Sequence, residues 1–111
     1  MPSPFIPDGY TRETTIPACE LWDEIQLTYR PMAGEDFAGY LARAKGLDDA
    51  GWSRLVWEML ADKIVAWNIP DQKGEVLPIA PEHIRRLVHP LPTRLWEKLC
   101  GSVVQGDTAK N

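Results

Sequence analysis

The chain has 111 residues, 44% of them hydrophobic and 25% charged, which is the size and composition of one globular domain and excludes a disordered polymer. Its formal net charge of −4 gives no general electrostatic reason to bind nucleic acid. No apolar run reaches the roughly 18 residues a bilayer span requires. The start, Met1-Pro-Ser-Pro-Phe5, lacks the basic and apolar regions of a secretory signal. Cys19 and Cys100 are far apart and without metal-type spacing, so the expectation is a cytoplasmic protein with reduced thiols.

Residues 1–8 carry Pro2, Pro4 and Pro7 and read as an extended arm. A β-hairpin over 9–30 follows. Its second strand is the clearer, because Ile25, Leu27 and Tyr29 alternate with Gln26, Thr28 and Arg30 at period two. The first strand contains Thr11, Thr14 and Thr15 and ends at Pro17, which puts the turn near Cys19-Glu20.

The segment from Met32 to Ile69 contains no proline and is read as two helices. The first, about 34–46, opens with the acids Glu35 and Asp36, has Phe37, Tyr40, Leu41 and Ala44 as its apolar side, and stops at Gly46. Asp48 or Asp49 caps the second, about 48–67. On it Trp52, Leu55, Val56, Trp57, Met59, Leu60, Ile64, Ala66 and Trp67 fill an arc of roughly 200°, about twice the usual apolar stripe. Such a helix is either central to the fold or turns a second apolar face to a partner. Lys63 falls inside the arc, where its stem is expected to pack on apolar neighbours with the ammonium in water.

Pro70 ends that helix and Asp71-Gln72-Lys73-Gly74 forms a turn, after which Val76 and Leu77 lead back toward the core. Pro81 starts a short helix, about 81–88, that buries Ile84, Leu87 and Val88. Pro92 starts the last, about 92–104, with Leu95, Trp96, Leu99 and Val103, and a flexible tail runs from 106 to 111. The fold class expected is α+β, mostly α: a single domain over 9–105 in which the N-terminal β-hairpin packs on a bundle of about four helices.

The sequence offers little chemistry. His83, His89, Cys100 and Glu97 are metal-type residues without the close pairs that zinc sites use. Glu82-His83 and Asp62-Lys63 are adjacent on helices, so their side chains diverge by about 100° and form no dyad. No phosphate loop or nucleophile elbow is present. The expectation is a protein that is not an enzyme and has no metal or cofactor. Arg85, Arg86, His89, Arg94 and Lys98 form a locally basic strip, interrupted by Glu82 and Glu97, that leaves nucleic acid as a minor alternative partner. Five tryptophans serve either one small core or a binding surface, since indole combines a large apolar area with a polar rim.

Between Trp52 and Val104 the order of features is distinctive. An apolar helix ends Ile64-Val65-Ala66-Trp67-Asn68-Ile69, a Pro70-Asp71-Gln72-Lys73-Gly74 turn follows, and then comes Val76-Leu77-Pro78-Ile79-Ala80-Pro81-Glu82-His83-Ile84. Leu87, a proline break and a closing helix with Leu95 and Leu99 complete it. This order resembles the tail assembly chaperones of long-tailed bacteriophages and prophages. The resemblance implies a non-catalytic protein that coats the tape-measure protein, shields its hydrophobic helices and brings tail-tube subunits to it. Self-association is also open to such a protein.

For that role Trp57, Ala61 and Ile64, at one edge of the arc, together with Trp96, are the expected partner-binding residues. A virion structural component, such as a tail or head–tail joining subunit whose hairpin pairs with its neighbours, is the alternative.

Overall fold

The period-two alternation of the N-terminal segment forms a hairpin in the computed structural model, which describes residues 5–100. Strand β1 (Arg12–Ile16) pairs antiparallel with β2 (Ile25–Tyr29), Ile16 opposite Ile25 and Thr14 opposite Leu27. The turn lies where expected: Cys19 N–H donates to the Trp22 carbonyl at 2.9 Å.

Helix α1 (Gly34–Ala44) follows, and Gly46, at φ +79°, makes the left-handed stop. Asp48 caps helix α2 (Asp49–Lys63) by accepting from Gly51 N–H at 2.8 Å.

The helix expected to reach residue 67 ends at Lys63. Ile64–Trp67 is instead strand β3, antiparallel to β2, so the hairpin grows into a three-stranded sheet of order β1-β2-β3. The physical reason is a bulge. Residues three apart in a regular strand face opposite ways, but an irregularity in register at Thr28/Tyr29 of β2 lets both Ile64 and Trp67 turn to the core, with Val65 and Ala66 exposed. A spacing of three also fits a helix, which is why the apolar arc ran on through this strand.

The excursion after Trp67 is held by backbone and side chain together. Asp71 Oδ1 accepts from Lys73 and Glu75 N–H at 2.8 and 3.0 Å, Gly74 sits at φ +87°, and the Trp67 indole donates to the Leu77 carbonyl at 2.7 Å. Helix α3 is confined to Pro81–Ile84, shorter than the expected 81–88. Ile84 is buried, Leu87 half-buried and Val88 exposed. Helix α4 spans Leu91–Leu99 and buries Leu91, Leu95 and Leu99. The parts of the expected arm over 1–4, of the last helix over 101–104 and of the tail over 106–111 lie outside the described residues.

The architecture is therefore α+β; among the described residues three strands stand beside four helices, so the expected hairpin is part of a three-stranded sheet. Ile16, Ile25, Leu27, Tyr29, Ile64 and Trp67 line the inner face of the sheet and meet Leu60, Ile84, Leu91, Leu95 and Leu99 in one cluster. Helix α2 touches α1, α3, α4 and β3, so its wide apolar arc belongs to a central helix.

Helix α1 departs most from expectation: none of its residues is buried. Its side toward α2 is polar. Asp36 meets Lys63, Tyr40 meets Asp62 and Arg43 meets Glu58, which leaves Phe37 and Leu41 exposed. Lys63 does not reach into water as expected; its residue is only 7% exposed, and Asp36 supplies its counter-charge.

Candidate functional site

The four residues singled out from the sequence do not form one surface. Ile64 is 4% exposed inside the sheet and presents nothing to a partner. Trp57 and Ala61 are half-buried on α2, packed against the core cluster. Trp96, on α4, meets the edge of Trp52 at a centroid distance of 6.0 Å and an interplanar angle of 89°. Trp52 and Trp57 are five residues apart on α2, about 140° around the helix. Trp96 thus lies on a different side from Trp57. Trp52, on the apolar arc of α2, is exposed, with Trp96 as its aromatic neighbour.

One apolar surface that faces outward lies at the tip of the hairpin. The loop between β1 and β2 is tied by the Trp22 indole, which donates to the Pro17 carbonyl at 3.1 Å. With Trp22 held, Leu21 projects and is 53% exposed. Across from them run Ile69 and Pro70 after β3, Leu87 and Val88 after α3, and Leu91 at the start of α4. Together they enclose a cleft of about 450 Å³.

Its walls are fixed by Asn68. The Asn68 amide oxygen accepts from Gln26 N–H at 2.9 Å, and its amide nitrogen donates to the Glu24 carbonyl at 3.4 Å. These bonds tie the start of β2 to the residue that follows β3. Asp23 and Glu24 line the cleft and Glu20 lies on the same loop, so the apolar floor has an acidic border. Such a cleft suits an apolar side of a partner flanked by basic residues.

The outer face of the sheet forms a larger hollow of about 700 Å³, lined chiefly by Glu13, Thr14, Thr15, Gln26, Thr28 and Asn68. It is more open than the hairpin-tip cleft, and its lining is about as polar as it is apolar. Apolar burial is what drives most protein association, so the smaller hairpin-tip cleft is the stronger candidate.

The titratable groups cluster elsewhere, along the α1–α2 seam. Asp36 is held below the usual carboxylate range by its hydrogen bond from Ala33 N–H and then by the Lys63 ammonium. The Tyr40 hydroxyl is pushed up to about 12, first by burial and then by its hydrogen bond to the Asp62 carboxylate at 2.9 Å. Arg30 donates to the Asp62 carbonyl at 2.7 Å, which joins β2 to the end of α2. These groups satisfy one another along the seam.

Burial raises the Cys100 thiol to about 11, well above the range of a reactive cysteine, and Cys19 is an exposed free thiol. Among the described residues, no three His, Cys, Asp or Glu side chains are grouped to hold a metal ion. His83 Nδ1 faces the Pro78 carbonyl at 2.9 Å and donates to it, because a carbonyl only accepts. In the basic strip, Arg94 is paired with Glu97 at 3.3 Å. No helix among the described residues is long and apolar enough to cross a membrane.

Sequence reasoning missed Leu21 and Val88. One signal was available: Leu21-Trp22 is an apolar pair set between Glu20 and Asp23-Glu24, in a turn that local chemistry alone would fill with polar residues. For Val88 there was none, because its exposure depends on α3 ending early.

Comparisons with protein families, with curated proteins and with solved structures gave no match.

Proposed function

We propose that this protein is a non-catalytic binding protein that holds an apolar segment of a partner protein in the cleft at the hairpin tip. The observation that carries this reading is the cleft itself: Leu21, Trp22 and Val88 offer an apolar surface bordered by acids, on segments tied by the Trp22 and Asn68 hydrogen bonds. The pattern of residues from Trp52 to Val104 supports the narrower reading of a phage or prophage tail assembly chaperone, with the tape-measure protein and tail-tube protein as partners.

The test is co-purification with the product of a long helical gene directly downstream, using the full chain and its Leu21→Glu and Val88→Glu variants. Loss of binding in both folded variants is the expected result. Retention in both overturns the cleft as the site.

A virion structural subunit is the second reading. It is favoured by β1, which among the described residues pairs only with β2 and so offers a free edge for a neighbouring strand. A chaperone is absent from purified particles, whereas a structural subunit is present in fixed copy number.

A further inference from the structure

The apolar arc of α2 divides between two neighbours. Val56, Trp57, Leu60 and Ala61 belong to the core cluster or pack against it. Leu55 and Met59 are buried as deeply, at 4% and 0% exposure, yet both stand outside that cluster.

Helix geometry shows what lies over them. The contacts of α1 run antiparallel along α2: Asp36 meets Lys63, Tyr40 meets Asp62 and Arg43 meets Glu58. At about 100° per residue, Glu58, Asp62 and Lys63 stand at about 0°, 40° and 140° around α2. Leu55 and Met59 fall between them, at about 60° and 100°. On α1, the part-buried residues are Asp36, Tyr40 and Ala44, a stripe with a spacing of four. Helix α1 therefore lies over Leu55 and Met59, with Tyr40 and Ala44 on its inner side.

This cover is held differently from the rest of the fold. No residue of α1 belongs to the core cluster or to the side chains packed against it. The Arg43–Glu58 pair is half exposed on both sides, where water and salt leave ion pairs weak. The Asp36–Lys63 pair, at 2.9 Å, is the more enclosed latch. Irregular links at 31–33 and 45–48 join α1 to β2 and α2, so a rotation within them leaves both elements in place.

We propose that α1 is a lid: it opens from α2 as a unit while the sheet, α2, α3 and α4 stay folded, and opening uncovers Leu55 and Met59. Trp52, exposed and about 120° around α2 on the same scale, completes an apolar stripe with them. In the closed state the chain's own helix occupies this second side of the arc. Opening costs less than unfolding, because the core cluster is complete without α1.

Native-state hydrogen exchange of the full chain in low urea tests this. Amides 38–44 are at least about tenfold less protected than those of β2 and of residues 56–63, and share one weak dependence on urea. The core amides exchange through global unfolding and depend on urea steeply. Asp36→Ala removes the latch and speeds exchange of amides 38–44 at least about tenfold further.

A second measurement probes beneath the lid. In a Cys19→Ser/Cys100→Ser background, Met59→Cys reacts with a thiol reagent at least about tenfold faster than Leu60→Cys, each rate normalised to the global stability of its variant. Residue 60 faces the core cluster and stays enclosed when the lid opens. Amides 38–44 with the protection and urea dependence of β2 overturn the proposal. So does a thiol at position 59 no more reactive than one at position 60.

Discussion

The Lys63 ammonium lies 2.9 Å from the Asp36 carboxylate, and the same carboxylate accepts the Ala33 N–H at 3.0 Å. One side chain thus caps α1 and neutralises the buried cation at the end of α2. This makes Asp36 the point at which α1 depends most on the rest of the chain. Asp36→Ala leaves Lys63 largely buried without a counter-charge and is expected to cost about 2 kcal/mol, less than for a fully enclosed pair because the carboxylate is one-third exposed. The double variant Asp36→Ala/Lys63→Met recovers much of that loss in denaturant titrations, since removing both charges leaves none unpaired.

The same pair sets an acid limit. Asp36 titrates below its ordinary value of 3.8 in the folded chain, so its contribution is present above about pH 4 and is lost as pH falls through the lowered folded value. Thermal midpoints measured between pH 5 and pH 2 fall less steeply in Asp36→Ala than in the wild-type chain.

How much of this was legible depends on whether a residue's partner is near in sequence. The hairpin, the Gly46 stop and the Asp71–Gly74 turn are set by local hydrogen bonds and backbone preferences, and the sequence predicts each; it narrows the α2 cap to Asp48 or Asp49, of which Asp48 serves. Strand β3 was not legible, because Ile64 and Trp67 reach the core only through a bulge on a pairing with β2, some 35 residues away. Phe37 and Leu41 look like core residues from periodicity alone. They are exposed because α2 offers Glu58, Asp62 and Lys63 to α1, a pairing that local pattern does not encode. The candidate cleft is likewise non-local, joining the hairpin tip, the segment after β3 and the α3–α4 connection.

Tyr40 marks the alkaline side of the seam. Its hydroxyl titrates at about 12, raised first by burial and then by the Asp62 carboxylate. The folded state therefore retains that proton longer than the unfolded chain does, and the stability linked to it is intact below about pH 10 and declines as pH rises toward 12. Difference absorbance at 295 nm between the wild-type chain and Tyr40→Phe locates this titration, and Asp62→Asn shifts it toward lower pH.

The two cysteines should separate kinetically. Cys100, with its thiol raised to about 11 by burial, is about one-thousandth thiolate at pH 8, whereas Cys19 is exposed. Labelling with a thiol-specific disulfide reagent gives a fast phase that Cys19→Ser abolishes and a slow phase that Cys100→Ser abolishes. Adding denaturant merges the two. A single phase in the folded chain contradicts the burial of Cys100.

Ile64 and Leu21 give the sharpest contrast between scaffold and surface. Ile64 is 4% exposed within the sheet, so Ile64→Glu buries an unpaired carboxylate and is expected to remove more than about 4 kcal/mol, enough to unfold much of the protein. Any loss of partner binding in that variant reports unfolding and says nothing of a contact. Leu21→Glu replaces a side chain that already faces water on a loop tied by its neighbour Trp22, and its stability stays within about 0.5 kcal/mol of wild type. A new carboxylate beside Asp23 and Glu24 also repels any partner with acidic flanks. Binding of a basic-flanked apolar helix, which lacks that repulsion, is still lost because Leu21 no longer fills its share of the apolar floor. Paired measurement of thermal midpoint and affinity separates the two positions: Ile64→Glu moves both, Leu21→Glu moves affinity alone, and a Leu21→Glu variant that loses stability in parallel with affinity assigns the hairpin tip to the scaffold.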